Sequence, residues 1–211
     1  MTSTYGDAYR GSRQRLSSLA RSLGDEGVAV LVPASPAWRI HDVLGHLTGL
    51  VADVAAFNLE GLGSDAWTAA QVDARRSRSI TEVVDEWDEI GPGMEELLGL
   101  LPEAQALSVV GDIAAHEMDV WGALGRRDGR DSDAVHIGYQ RYANAIAERV
   151  DAAGLAPLAL DGLADRFELF RALTGRRTAD QIRAYAWGDV DCEPYVALFS
   201  AYGMATEPLD E

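Results

Sequence analysis

The segment GDIAAHEMDVWGAL, residues 111–124, gathers Asp112, His116, Glu117 and Asp119 on one short, largely apolar stretch. On a helix turning about 100° per residue, Val109, Ile113, His116, Val120 and Leu124 share one stripe, so the His116 imidazole lies among residues that face a protein interior. Asp112 comes one turn earlier on nearly the same face. A carboxylate and an imidazole so placed can both reach one divalent ion. Two plainer readings fit the pair as well: a buried histidine satisfied by an aspartate, or an aspartate in the first turns complementing the helix dipole.

His46, in HDVLGHLTGL, offers a third donor. It flanks a wide apolar stripe made by Ile40, Val43, Leu44, Leu47, Leu50, Val51, Val54 and Phe57, close enough to the core-facing side to point across a bundle. With Asp112 and His116 it gives the three-protein-ligand arrangement of a catalytic divalent site, leaving positions for water or substrate. His41 is rotated about 140° from His46 and is expected at the surface. His136 has no evident partner. Asp119, one turn beyond His116, is a candidate to orient a ligand from outside the coordination sphere, whereas Glu117 is expected to face outward.

The elements that must carry these residues read as helices. Apolar residues from Tyr5 to about Leu23 form one stripe, ended by Gly24 and Gly27. A second helix is expected to open with Ser35 as N-cap and Pro36 as first residue, and to run to about Asn58. Gly61, Gly63 and Ser64 mark a loop. A third helix starts near Ser79 or Thr81, with a kink or break expected at Gly91-Pro92-Gly93. A fourth covers 108–125, closed by Gly125, and a further one covers Asp133–Ala152, ended by Gly154. Beyond it, Asp165 opens a short helix stopped by Gly175, Thr178-Ala-Asp-Gln181 is a capping box, and 158–162 is expected to hold one short strand. The predicted fold is mainly α: a four-helix bundle over residues 1–153 with a small C-terminal α(+β) module over 154–211.

Bulk composition narrows the function. The chain has 211 residues, 47% hydrophobic and 25% charged, which fits an ordered globular protein. Its formal charge is −16, from 34 acids against 18 bases, and every base is arginine. So acidic a surface repels phosphate backbones and anionic membranes, so neither nucleic acid nor membrane is an expected partner. The single cysteine, Cys192, rules out an intramolecular disulfide and a multi-cysteine metal site, and is read as an ordinary small residue. The first residues lack the apolar core of a signal peptide and no stretch approaches a membrane span, so a cytoplasmic protein is expected.

The segments PAWRIHDVLGHLTGL and DIAAHEMDVWGALGR, then FELFRALTGRRTADQI followed by PYVALF, together resemble the mycothiol-dependent maleylpyruvate isomerase family of the DinB/YfiT-like superfamily. The resemblance implies a DinB-like bundle that holds a divalent metal, usually zinc, through one histidine of the second helix and an acid-x₃-His pair of a later one. Carried over, these are His46, Asp112 and His116, with Asp where many members have Glu. It also implies mycothiol, a small thiol of actinobacteria, as cofactor or co-substrate, with a second small molecule as substrate. A thiol at an open metal position is deprotonated at neutral pH, which provides a nucleophile without a protein cysteine. The reaction is then cis–trans isomerisation of a maleylpyruvate-like substrate, or S-transfer to an electrophile. The late arginines Arg176 and Arg177 could bind a substrate carboxylate bidentately, or be solvated neighbours of a capped helix start. Arg171 reads as structural. A non-catalytic, metal- or ligand-binding stress-response bundle is the alternative from another class. A monomer or homodimer is expected.

Overall fold

The structure is a computed structural model that describes residues 4–209. Nine helices are present among the described residues: α1 (Tyr5–Gly27), α2 (Ile40–Ala55), α3 (Asp65–Asp73), α4 (Ile80–Leu98), α5 (Glu103–Ala123), α6 (Asp133–Ala152), α7 (Arg166–Leu173), α8 (Ala179–Arg183) and α9 (Glu193–Val196). No strand occurs among them. Where a strand was expected at 158–162 there is only an isolated bridge between Asp161 and Ala164. The C-terminal part is thus helical and irregular, without the expected β component.

Helices α1, α4, α2 and α5 close a four-membered ring in that order, α4 packing on both α1 and α2, and α5 touching both as well. Their apolar stripes meet inside, where Tyr9, Leu16, Ile40, Leu44, Val84, Trp87, Val110 and Ile113 are almost wholly buried. The α2–α5 seam is the least closely packed of the four. Helix α6 lies outside the ring against α5 and α1, with Gly111 and Gly138 letting the α5 and α6 backbones approach. That leaves α5 covered on most sides, as a helix buried nearly all round must be.

Helix starts follow capping chemistry. Ser79 caps α4 by accepting from Glu82 N, and Glu82 accepts in return from Ser79 N. Helix α2 begins later than expected: 33–38 form turns, with Val32 N donating to Trp38 O and Trp38 N to Ser35 O. Those bonds occupy the backbone that a Ser35 cap would have used. The start moves to Arg39, whose N–H donates to Asp42 Oδ2 at 2.9 Å. The expected break at Gly91-Pro92-Gly93 does not occur, and α4 runs through Pro92. Its buried face, Trp87 through Gly91 to Met94 and Leu98, packs on the ring on both sides of the proline, and this tertiary contact overrides the local preference. Helix α3 lies where the sequence suggested only a loop, capped by Ser64 through Trp67 N.

Residues beyond α6 build a second apolar cluster with the end of that helix, including Ile146, Val150, Leu169, Leu173, Ile182, Trp187 and Phe199. Phe170 of α7 reaches the main core instead. The C-terminal segment is therefore seated on the bundle rather than tethered to it.

Candidate metal centre

His46 is set by α2, and Asp112 and His116 by α5, so all three line the α2–α5 seam. One donor atom from each lies within 4.8 Å of the other two. His46 Nε2 is 3.6 Å from Asp112 Oδ2, and His116 Nε2 is 3.7 Å from Asp112 Oδ1. The histidine rings meet edge to face, 5.2 Å between centroids. His46 is buried, while the Asp112 side chain keeps 34% of its surface exposed, so the cluster opens to solvent on the Asp112 side.

Two atoms of this cluster, Asp112 Oδ2 and His116 Nδ1, lack the hydrogen-bond partner that a buried polar atom normally has. Asp112 Oδ2 is out of solvent and accepts no hydrogen bond. Orphaned buried oxygens are rare because desolvation costs about 1–3 kcal/mol when no partner replaces water. Two nitrogens and a carboxylate oxygen are the donors that zinc takes, and tetrahedral bonds of about 2.0–2.1 Å would put donors ~3.3 Å apart. The 3.6 and 3.7 Å separations lie a few tenths of an ångström outside that spacing but run to different Asp112 oxygens, and with one donor atom per residue the three lie within 4.8 Å, so the side chains must close in by adjustment to share one ion. The residues fit a divalent ion.

Electrostatics point the same way. Burial raises the Asp112 pKa, but His46 at 3.6 Å and the charges of His116 and Arg176 outweigh it, and the carboxyl titrates below its usual range. For His46, burial disfavours the charged ring, yet Asp112 together with Gln71 more than offsets this and the pKa lies above the ordinary value. Asp112 is thus held ionised beside His46.

Each ring has a polar neighbour on the side away from the cluster, with a hydrogen bond at His46 alone. His46 Nδ1 lies 2.8 Å from Gln71 Oε1 of α3, and Gln71 Nε2 donates to Asp53 Oδ2 at 2.7 Å. His116 Nδ1 faces Asp119 Oδ2 at 3.3 Å, although not aligned as a hydrogen bond. Asp119 is fully buried and accepts from Arg171 Nη2 at 2.8 Å and from Arg176 Nη2 and Nε at 2.6 and 3.1 Å. Burial alone would raise the Asp119 pKa, but Arg176 and Arg171 hold it well below the usual carboxylate range. Trp38, delivered by the turn before α2, lies against both histidines, 5.4 Å from His46 and 5.8 Å from His116 between centroids.

The remaining candidates are engaged by other groups of this chain. Arg176 also donates to Thr174 O, and Arg177 donates to Glu168 through Nε and Nη2, both at 2.7 Å, and to Arg176 O. Both guanidinium groups, which the sequence suggested for a substrate carboxylate, thus face carboxylates of this chain. Glu117 is not on an outer face: it is fully buried and accepts from Arg15 Nε and Nη2 at 2.6 and 2.9 Å, because α1 covers that side of α5. His41 points away, its Nε2 2.9 Å from Arg78 O, and His136 pairs with Asp131 at 2.8 Å. Gln71 and Trp38 were missed by sequence reasoning. The Ser64 cap was the one signal for the helix that brings Gln71, and nothing local distinguishes Trp38 from a core tryptophan.

A model of the mycothiol maleylpyruvate isomerase N-terminal domain matches residues 9–127, more than half of the chain. The chain belongs to that family. The match contains His46, Gln71, Asp112, His116 and Asp119, and ends before Arg171 and Arg176, so part of the support for Asp119 comes from outside the family domain. No curated protein and no solved structure matches the chain. No helix among the described residues is long and apolar enough to cross a membrane.

Proposed function

We propose that this protein is a divalent-metal enzyme that uses mycothiol as thiol cofactor or co-substrate, either to isomerise a cis double bond in a maleylpyruvate-like substrate or to transfer the thiol to an electrophile. The observation that carries this reading is the orphaned Asp112 Oδ2 beside two histidine nitrogens, in a chain of this family. His46, Asp112 and His116 would hold the ion, and zinc suits the donor set best. A bound divalent ion supplies a position at which a thiol is held as thiolate at neutral pH. Mycothiol would supply a sulfur nucleophile: reversible addition to a conjugated cis double bond, with rotation about the resulting single bond before the thiolate departs, would give isomerisation, and protonation of the adduct carbon with the thioether retained would give S-transfer.

This chain's residues prepare the site in three ways. Asp119, neutralised by Arg171 and Arg176, steadies the His116 ring. Trp38 covers the histidine pair and keeps water from that side. The exposed flank of Asp112 leaves a way in for thiol and substrate. No protein thiol is required, and Cys192 packs against the second apolar cluster.

Calorimetry of mycothiol binding to the zinc-loaded protein, in buffers of different ionisation enthalpy, tests the reading before any substrate is known. Binding with release of a proton is expected, together with retention by Cys192→Ser. Absence of both heat and proton release would favour a non-catalytic metal-binding bundle.

A further inference from the structure

We infer that Gln71 is a positioning residue that holds the His46 ring as its Nδ1–H tautomer, so that the Nε2 lone pair faces the Asp112–His116 side of the seam. The inference rests on the metal-centre reading for its use, but its structural basis is independent of it. An imidazole can bind a metal only through an unprotonated nitrogen, and the partner of the other nitrogen decides which one that is.

The hydrogen-bond chain leaves one assignment. Both carboxylate oxygens of Asp53 are engaged by amide groups, Oδ1 by Asn58 Nδ2 at 2.8 Å and Oδ2 by Gln71 Nε2 at 2.7 Å. A carboxylate only accepts, so the NH₂ of Gln71 must face Asp53 and its carbonyl must face His46. A carbonyl only accepts in turn, so His46 Nδ1, 2.8 Å away, carries the proton. Nε2 is then the basic nitrogen, and it is the atom that faces Asp112.

The contact is also built into the backbone. A Cβ at Gly49 of α2 would lie 2.5 Å from Gln71 Cβ and 2.8 Å from its Cγ, so α3 can bring Gln71 alongside α2 only because residue 49 is glycine. Gln71 is 3% exposed and thus shielded from water that could compete for the ring. His116 has a different neighbour on that side, the buried Asp119 carboxylate at 3.3 Å with no aligned hydrogen bond, so the two histidines of the cluster have chemically distinct surroundings.

The test combines tautomer and affinity measurements on the full chain. Long-range ¹H–¹⁵N spectra of the metal-free protein, at a pH where the ring is neutral, should show His46 as Nδ1–H in wild type and as a mixture in Gln71→Leu. Zinc titration of Gln71→Leu should show affinity lowered about 10–100-fold, with circular dichroism confirming the fold. The paired change Gln71→Glu with Asp53→Asn keeps an acceptor toward His46 and a donor toward residue 71, and should restore both readings. If Gln71→Leu does not fold, the wild-type tautomer and the paired variant decide. His46 as Nε2–H in wild type, or wild-type zinc affinity in folded Gln71→Leu, would overturn the inference. A wild type that binds no zinc would remove the metal reading, while the tautomer data would still support or refute the role of Gln71.

Discussion

Asp119 Oδ2 stands 3.3 Å from His116 Nδ1, on the ring nitrogen that does not face Asp112, and two arginines from the C-terminal segment grip the same carboxylate. The C-terminal segment therefore reaches the candidate metal centre through one buried side chain. Asp119→Ala would remove a carboxylate that the wholly buried Arg171 and the mostly buried Arg176 both bond. Loss of about 3–5 kcal/mol of stability is expected in urea unfolding, since removing one partner of a buried pair strands the other. A loss below about 1 kcal/mol would show that water or a rearrangement satisfies both arginines.

Acid should act on the same residue. The Asp119 pKa in the folded chain is well below its value of about 3.9 in an unfolded chain. The unfolded state thus binds the proton first, and the stabilisation is complete above pH ~4 and lost as pH falls through the folded value. Unfolding free energies measured along an acid series should decline more steeply in wild type than in Asp119→Asn. Equal slopes would assign the acid sensitivity to other carboxylates.

Arg176 and Arg177 should separate in their effects, although they are neighbours in sequence. Arg176→Ala removes two of the bonds to Asp119 and should lower zinc affinity, with a drop nearer tenfold than hundredfold because Arg171 remains. Arg177→Ala breaks the pairing with Glu168 and should cost stability without changing zinc affinity. Parallel zinc titrations and thermal melts check both. A weaker use of an anionic substrate by Arg177→Ala, with stability intact, would return that residue to the substrate-binding role suggested by the sequence.

The seating of α7 can be tested away from the site. A Cβ at Gly138 would lie 2.8 Å from Phe170 Cε2, so Gly138→Ala should force that ring out of the main core and cost about 1–3 kcal/mol. A neutral Gly138→Ala would mean that Phe170 repacks freely.

Much of the bundle could be read from periodicity, which also puts Asp112 and His116 at helical spacing among apolar neighbours and His46 beside a long stripe, whereas joining the three as one ligand set took the family resemblance as well. What periodicity does not contain is the identity of the neighbour on each side. Glu117 was misplaced because its burial depends on where α1 packs, with Arg15 supplying the charge partner. Helix α3 escaped notice because its nine residues carry no clear apolar stripe, and with it went Gln71. Ser35-Pro36 carries valid start chemistry for a helix, but those residues sit in a turn whose backbone bonds to Val32 and Trp38. Arg176 could be placed near the cluster by resemblance, but that it answers Asp119 is a long-range fact that no local pattern carries.

The measurement that bears most directly on the central claim is metal stoichiometry in the purified protein and its His46→Ala, Asp112→Ala and His116→Ala variants, by elemental analysis and zinc titration. One ion per chain in wild type, with weakened or lost binding in every variant that stays folded, is the expected result. Wild-type stoichiometry and affinity in all three would contradict it and leave His46, Asp112 and His116 as a buried polar cluster without a metal.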